Sequence, residues 1–171
     1  IYGWTQGAQW NPTIWYNGEI NILSTVGGEA LGSSPDGSYV IGNIYEYSPN
    51  GSNKCFIWHQ EDGSMELVEN SLNNAASFIL IGILEYKTCF GWTNNNFPDS
   101  RIACIIDSDG VMQTFNDYAE SRGLENAQDW FFYSVNAATP DGNIFIGTAQ
   151  TPQGLDIGFY IDFSAESTLY N

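Results

Sequence analysis

Apolar residues alternate along short stretches of the chain, and polar turns that contain glycine separate these stretches. Three segments share one pattern, in which an apolar strand runs into a polar turn closed by glycine and a second short strand follows. The turn glycines, each with the apolar residue two positions later, are Gly18 with Ile20, Gly63 with Met65, and Gly110 with Met112. Glycine reaches positive φ without a Cβ clash, as tight antiparallel turns require. The pattern therefore predicts three β-hairpins.

A second recurring element lies between the hairpins. Residues 34–42 and 139–147 match position by position, because in both a Pro-Asp-Gly turn leads into a short apolar strand that ends at glycine. The closing glycine also occurs after an aromatic residue at Gly3 and Gly91. Successive hairpin glycines are 45 and 47 residues apart. A repeat of about 45 to 50 residues with four short strands is the period of a β-propeller blade.

The repeat predicts an all-β fold of about three and a half four-stranded β-propeller-type blades, which is an incomplete propeller. The chain is then a single repeat domain, residues 1–171. Its units are residues 1–28, 29–73, 74–128 and 129–163, followed by a C-terminal tail at 164–171. One helix is predicted, at residues 116–122, with Asn116 as its N-cap. Three arrangements would account for the open ring: further blades upstream, two copies that close one ring, or a stack of sheets that is not a propeller.

The repeat resembles the HAF repeat of bacterial extracellular proteins. The resemblance rests on residues 34–42, the run Cys-Phe-Ile-Trp at 55–58 with its glycine turn, and the last unit. In the last unit, Phe-Asn-Asp-Tyr at 115–118 and Gly-Phe-Tyr-Ile at 158–161 are similar to the C-terminal repeat of that family. The third copy departs from the pattern, with Glu85 and Tyr86 in place of Asp-Gly. The resemblance implies a secreted or cell-surface β-propeller and supplies no catalytic residue.

Charge and hydropathy exclude several classes of function. The 171 residues include 20 acidic and four basic side chains, which gives a net charge of −16. Without a basic surface the chain is not expected to bind nucleic acid or an anionic membrane. The longest apolar run, residues 78–84, is far shorter than the roughly 20 residues of a membrane-spanning helix, so no membrane insertion is expected. We interpret this run as a buried strand.

Composition also indicates the compartment and the cofactors. Few lysines, many Asn, Gly and Tyr residues, and the absence of a cofactor motif favour an extracytoplasmic protein, whether secreted, periplasmic or on the cell surface. Cys55, Cys89 and Cys104 show no Cys-x-x-Cys spacing and are odd in number, so we expect at least one free thiol and no disulfide-dense scaffold. No cofactor is expected apart from a candidate calcium ion.

Asp107 and Asp109 are the candidate calcium ligands, because two acids at positions i and i+2 before Gly110 form part of an oxygen-rich loop. The loop lacks the distal glutamate of an EF-hand, and an Asx turn explains the same residues. For Asp36 and Asp141, side-chain hydrogen bonding within the Pro-Asp-Gly turn is the favoured explanation. The single histidine, His59, is interpreted as a surface loop residue, so chemistry based on imidazole is not expected.

Aromatic side chains are the other candidates for a site. Trp10 and Tyr16 lie in a part of the first unit that has no counterpart in the other units, and we predict that they bind ligand. Four other tryptophans occupy repeat-equivalent positions and are predicted to pack in the core: Trp4 with Trp92, and Trp15 with Trp58.

These observations predict a non-enzymatic, extracytoplasmic binding or scaffold module of the β-propeller type, with a protein or glycan ligand. Two alternatives stay open. One is a carbohydrate-active hydrolase that uses paired Asp or Glu residues in a propeller funnel, since glycosidases need two carboxyl groups about 5 to 10 Å apart. The other is a structural surface protein that assembles through its sheet edges. Missing upstream blades or self-association are the partners expected for the open ring.

Overall fold

The computed structural model describes residues 1–6, 10–45, 53–68, 72, 77–94 and 101–164. This part of the chain is mainly β, as the alternating pattern predicts. The strands are β1 (Tyr2–Gln6), β2 (Trp10–Tyr16), β3 (Glu19–Ile22), β4 (Gly28–Ser33), β5 (Tyr39–Tyr45), β6 (Asn53–His59), β7 (Met65–Val68), β8 (Ser77–Ile83), β9 (Cys89–Asn94), β10 (Arg101–Ile106), β11 (Met112–Thr114), β12 (Phe131–Ala138), β13 (Ile144–Gln150) and β14 (Asp156–Asp162). One α-helix, α1 (Phe115–Ser121), follows β11.

The strands form four small antiparallel sheets, in each of which neighbouring strands follow chain order. Sheet 1 contains β1–β3, sheet 2 contains β4–β7, sheet 3 contains β8–β11 and sheet 4 contains β12–β14. A single parallel pairing, between Asn53 and Ser77, links sheets 2 and 3. The run at residues 78–84, predicted to be a buried strand, forms most of β8.

The three predicted hairpins are confirmed, and their registers are equivalent. In each hairpin, the residue two positions after the turn glycine pairs with the repeat-equivalent residue of the first strand. The pairs are Trp15–Ile20, Trp58–Met65 and Ile106–Met112. All three turn glycines have positive φ. In the first hairpin Asn17 also has positive φ, so Asn17-Gly18 forms a two-residue turn that matches the twist of the strands.

Each sheet packs face to face against the next one along the chain, and the core lies between the sheets. Ile14 and Phe56 belong to the cluster between sheets 1 and 2, and Ile57 and Leu80 to the cluster between sheets 2 and 3. The third cluster lies between sheets 3 and 4 and includes Phe115 of α1. The described residues therefore form a row of four sheets with a separate apolar layer at each junction.

The prediction that the second strand of a repeat ends at its glycine is wrong, because in sheets 2, 3 and 4 the strand continues to Tyr45, Asn94 and Gln150. This glycine lies opposite a β-bulge in the first strand. Gly42, Gly91 and Gly147 each pair with the residue that immediately precedes the bulge. A Cβ atom on any of the three would lie 2.0 Å from a carbonyl oxygen of the first strand. Backbone cannot give way as a flexible side chain can, so this position requires glycine.

The two Pro-Asp-Gly turns have the same hydrogen bonds. Oδ1 of Asp36 accepts from the hydroxyl of Ser34 at 2.6 Å and from the backbone N–H of Ser38 at 3.0 Å. Asp141 accepts in the same way from Thr139 at 2.6 Å and from the N–H of Asn143 at 3.1 Å. The predicted structural role of both aspartates is therefore confirmed.

These hydrogen bonds stabilise the charged carboxylate and give a pH-dependent prediction. Bonds from Ser34 and Ser38 lower the pKa of Asp36 from 3.8 to about 2. A carboxyl group with a lowered pKa in the folded state stabilises the protein above its unfolded-state pKa, and this contribution is lost as the pH falls through about 2. We therefore expect Asp36→Ala to lower the urea midpoint at pH 7 and to have much less effect near pH 2.

The measurement is urea unfolding of both proteins at several pH values, with Glu61→Ala as the control for loss of one exposed acid. If Asp36→Ala lowers the urea midpoint as much near pH 2 as at pH 7, the carboxylate charge is not what stabilises the turn.

The third repeat forms its first turn differently, as its departure from the motif suggests. A 3₁₀ turn at Glu85–Lys87 replaces Pro-Asp-Gly, and Tyr86 and Lys87 both have positive φ. The N–H of Leu84 donates to the carbonyl of Thr88 at 2.7 Å and closes the turn. Two non-glycine residues thus adopt the left-handed conformation that glycine adopts more easily.

The predicted helix exists but begins earlier than expected. Thr114, not Asn116, is the N-cap, because its hydroxyl accepts from the N–H of Asp117 at 3.1 Å. Asn116 instead donates through Nδ2 to the carbonyls of Ala127 and Trp130, which fixes the link between α1 and sheet 4. The side-chain oxygen of Thr114 or of Asn116 could cap the helix as far as the sequence shows. The sequence does not reveal the contact of Asn116 with the carbonyls of Ala127 and Trp130, which decides between them. In the described residues, no helix is long and apolar enough to cross a membrane.

The described strands do not close the four sheets into a ring. Sheet 1 lacks the bulged first strand that the other sheets have, and sheet 4 has three strands. The outer face of sheet 1 carries Ile20, which is 59% exposed, whereas the equivalent Met112 in sheet 3 is 5% exposed. On the outer face of sheet 4, Tyr160 is 65% exposed, whereas the equivalent Ile57 and Ile105 are buried. The outer faces of sheets 1 and 4 are therefore uncovered, although the equivalent faces of the inner sheets pack in the core.

Candidate functional site

The strongest candidate site is a cavity of about 270 Å³ at the junction of sheets 1 and 2. Sheet 1 contributes Tyr2 from β1 and the adjacent pair Trp15 and Tyr16 from β2. Sheet 2 contributes the Pro-Asp-Gly turn and the end of β6 with the residue after it. The lining residues that combine rings with polar groups are Tyr2, Tyr16, Asp36, Trp58 and Gln60. Trp15 also borders the cavity, although it belongs to the opposite face of β2 from Tyr16. The cavity is slightly smaller than the roughly 300 to 1,000 Å³ of ligand pockets, so it suits a group the size of one sugar ring.

A hydrogen bond between the two sheets positions the polar groups of this cavity. Nε2 of Gln60 donates to the hydroxyl oxygen of Tyr16 at 2.6 Å. Tyr16 lies at the end of β2 and is 45% exposed, so a ligand in the cavity can reach it. Gln60 follows directly after β6, and its N–H donates to the carbonyl of Ser38 at 2.9 Å. The pair is therefore fixed on the hairpin turn of one sheet and the strand end of the other.

Asp36 gives the cavity a negative charge. Its pKa is lowered to about 2 by hydrogen bonds from Ser34 and Ser38, so the carboxylate is ionised at neutral pH. A carboxylate oxygen can accept more than one hydrogen bond, and Asp36 can therefore also accept from a ligand hydroxyl or ammonium group. The same charge repels an anionic ligand.

The two predicted ligand-binding residues are not close together. Trp10 stands at the opposite end of β2 from Tyr16, six residues away, which corresponds to about 20 Å of extended strand. Its ring stacks on that of Trp4, with centroids 4.8 Å apart and an interplanar angle of 14°. Tyr16 is thus in the cavity, and Trp10 belongs to a separate aromatic pair on the surface.

The core assignment of the four repeat-equivalent tryptophans is wrong for one and only partly right for three. Trp4 is 45% exposed, and Trp15, Trp58 and Trp92 are half-buried. The repeat pattern indicates the position correctly but does not show whether a neighbouring sheet covers it. Trp92, for example, lies at the surface under the guanidinium of Arg101, 4.4 Å from the ring centre.

The geometry at the candidate calcium ligands favours a turn. Oδ1 of Asp107 accepts from the N–H of Asp109 at 3.0 Å and from the N–H of Val111 at 2.9 Å, which forms an Asx turn. Asp109 is exposed. Across the described residues, no group of three or more His, Cys, Asp or Glu side chains could hold a metal ion. Calcium ordinarily takes six to eight oxygen ligands, so the two aspartates alone do not make a site.

His59 is the last residue of β6 rather than part of the loop, and it contributes to a network of polar contacts between sheets 2 and 3. Its Nε2 lies 3.4 Å from Oε2 of Glu66, and the same oxygen accepts from Nζ of Lys87 at 2.6 Å. The ring of His59 also packs edge-on against Tyr39. Lys87 and His59 lower the pKa of Glu66, with the hydrogen bond from Lys87 as the largest cause. The network explains the histidine without a catalytic role.

A second cavity, of about 320 Å³, lies where the first strands of sheets 2, 3 and 4 approach one another. Strands β4, β8 and β12 supply most of its lining, and Tyr2 and the two turn prolines supply part of the rest. None of the lining residues is an Asp or Glu. This cavity therefore lacks the carboxylates that a hydrolytic funnel would need.

The three cysteines are buried free thiols that belong to one apolar cluster between sheets 2 and 3. Burial raises the pKa of the Cys55 thiol to about 12. Burial likewise raises the pKa of Cys89 and Cys104, and the charge of Cys55 adds to the effect. Buried thiols of this kind are poor nucleophiles and metal ligands, because both roles require the thiolate.

Sequence reasoning missed most of the cavity. Tyr2, Asp36 and Gln60 are not among the site residues that the sequence predicts, and the repeat pattern places Trp58 in the core. The signal that could have found Tyr2 and Trp58 is the contrast between repeats, because the equivalent positions at the next junction hold Ile41 and Ile106. The third hairpin, for example, has Ile106 where the first two have tryptophan. Tyr16 and Gln60 have polar counterparts and give no such signal.

No protein-family model matches the chain, and no curated protein sequence matches it. The resemblance to the HAF repeat therefore stays a prediction.

Proposed function

We propose that the chain is a non-enzymatic, extracytoplasmic binding module that holds a neutral glycan or a short peptide group between sheets 1 and 2. The observation that carries this proposal is the cavity in which Tyr16, Trp58 and Tyr2 surround two fixed polar groups, Asp36 and Gln60. Aromatic rings provide apolar faces for the C–H surface of a sugar, and the carboxylate and the amide bond its hydroxyl groups.

The proposal includes a β-propeller-type arrangement of the four sheets. Two observations support it. Consecutive sheets pack face to face, and their first strands β4, β8 and β12 line one common cavity, as the innermost strands of propeller blades do. The HAF resemblance and the composition support a position outside the cytoplasm. In this view the chain is an open arc of a propeller.

Electrostatics narrow the class of ligand. The net charge of −16 and the ionised Asp36 both disfavour an anionic ligand such as a phosphate or a sulfated glycan. These negative charges do not repel a neutral oligosaccharide or a peptide group with a cationic side chain.

The test is a titration of intrinsic tryptophan fluorescence with neutral oligosaccharides and cationic peptides. Tyr16→Ala and Gln60→Ala each remove one partner of the hydrogen bond at the cavity, which should weaken binding by roughly twofold to tenfold. The matched control is Tyr160→Ala, which removes an exposed tyrosine from sheet 4 and should leave the affinity unchanged. Failure of every ligand to bind, or equal losses in Tyr16→Ala and Tyr160→Ala, would contradict the assignment of the cavity.

Four described carboxyl groups do not suit the hydrolase alternative. The general acid of a glycosidase has a raised pKa, whereas the pKa values of Asp36, Asp62, Glu66 and Asp141 are all lowered. The cavity among the first strands has no acidic lining.

A second candidate function is assembly, and the two uncovered end faces favour it. Ile146 pairs with Tyr160 on the outer face of sheet 4, and both are exposed, whereas their counterparts in sheets 2 and 3 are buried. Trp15 and Ile20 pair on the outer face of sheet 1, whereas their counterparts in sheet 3, Ile106 and Met112, are buried. We propose that further sheets of the same repeat, or a second copy of the chain, cover these faces.

A further inference from the structure

Gly3 in β1 has room for a side chain that its repeat-equivalent glycines lack. At Gly42, Gly91 and Gly147, a Cβ atom would lie 2.0 Å from a carbonyl oxygen of the bulged first strand. At Gly3, the nearest atom to such a Cβ is Cζ3 of Trp15, at 3.6 Å, which is ordinary van der Waals contact. Glycine weakens a strand interior unless a close backbone approach requires it. Sheet 1 thus has the residue that accommodates a bulged neighbour, and no described strand occupies that place.

The edge of β1 is open in the corresponding place. Among the described strands β1 pairs only with β2, whereas β5, β9 and β13 pair on both sides. Tyr2 of β1 lines the cavity formed by β4, β8 and β12, so this side of sheet 1 faces the first strands of the other three sheets. An unpaired strand edge offers a row of N–H and C=O groups to an added strand.

We propose that β1 binds an extended polypeptide segment that pairs with it antiparallel and places a β-bulge against Gly3. The segment has the chemistry of the first strands of the other sheets, with a small or branched apolar residue opposite the glycine. In sheets 2, 3 and 4 that residue is Ala30, Leu80 or Val135. This strand-addition site uses the edge of β1 that no described strand pairs with, and it takes peptide backbone rather than a sugar. The ligand cavity, which Tyr2 also lines, lies instead between sheets 1 and 2.

The test uses a synthetic peptide with the sequence of residues 27–34, which contains β4. Added at millimolar concentration to the full chain, it should slow amide hydrogen exchange in β1, and a peptide of scrambled sequence should not. Gly3→Ala should abolish this protection, because the new methyl group takes the space of the carbonyl. The thermal midpoint of Gly3→Ala without peptide should equal or slightly exceed that of the wild type, which excludes misfolding as the cause.

A tethered strand provides the second measurement. Ile1 stands two residues before Gly3, as Val40 stands two residues before Gly42, so residues 28–39 fused in front of Ile1 would be in the register of sheet 2. The fusion should raise the urea midpoint above that of a fusion with the same residues scrambled, and Gly3→Ala should cancel the increase. An increase that survives Gly3→Ala overturns the proposal. The proposal is also overturned if the peptide gives no exchange protection in β1 and the two fusions have equal urea midpoints.

Discussion

Replacement of Gly42 or Gly147 by alanine should lower the free energy of unfolding by about 3 kcal/mol or more, at the upper end of the range for overpacked sites. In both cases the new Cβ would lie 2.0 Å from a carbonyl oxygen of the bulged strand. The ring of Phe56 or Phe159 would lie only 2.6 Å away on the other side. Neither the strand nor the buried ring can move without loss of sheet pairing or core packing. Urea unfolding followed by circular dichroism measures the change.

Gly3→Ala is the matched control, because it makes the same change at the equivalent position of a sheet that lacks the bulged strand. It should be neutral or slightly stabilising, by about 0.5 kcal/mol, since alanine costs less backbone entropy than glycine in a strand. Equal destabilisation by Gly3→Ala and Gly42→Ala would show that the carbonyl contact is not the reason for the glycine.

Phe115→Ala should destabilise the protein by about 3 to 5 kcal/mol, the usual range for a phenylalanine removed from a core. Phe115 is fully buried at the start of α1, between sheets 3 and 4. Its ring centre lies 5.0 Å from that of Phe132, 5.4 Å from that of Phe145 and 5.5 Å from that of Phe159. The substitution therefore leaves a cavity in the centre of an aromatic cluster.

Phe131→Ala serves as the control for loss of an aromatic ring from the same region. Phe131 precedes Phe132 in β12 but is exposed, so its removal should cost less than about 1 kcal/mol. If Phe115→Ala were no worse than Phe131→Ala, the aromatic cluster would not be what holds α1 and sheet 4 to the rest of the protein.

The sequence predicts the strands and hairpins well, because their signals are local. Turn glycines, Pro-Asp-Gly turns and alternating residues depend on the backbone conformation of a few neighbouring positions. The recurring spacing of Gly18, Gly63 and Gly110 also reflects a real equivalence, since the three hairpins share one register.

Features that depend on contacts between sheets could not be predicted in the same way. The recurrence of Gly42 and Gly147 is visible in the sequence, but the carbonyl oxygen that explains it lies in another strand. Trp4 and Trp92 occupy equivalent positions, yet their exposure differs because it depends on which elements lie beside each sheet. The cavity at Tyr16 likewise depends on the position of Gln60, 44 residues away.

The central feature of the protein is a row of repeat-related sheets with an uncovered apolar face at each end. Sedimentation equilibrium over a range of concentrations tests it most directly. We expect an average mass that rises with concentration above the 18.9 kDa of one chain, and more so at high salt, which screens the repulsion between copies with a net charge of −16. Ile20→Asp and Tyr160→Asp, one on each end face, should restore the monomer. A single species of 18.9 kDa at all concentrations, together with cooperative unfolding, would contradict the open row.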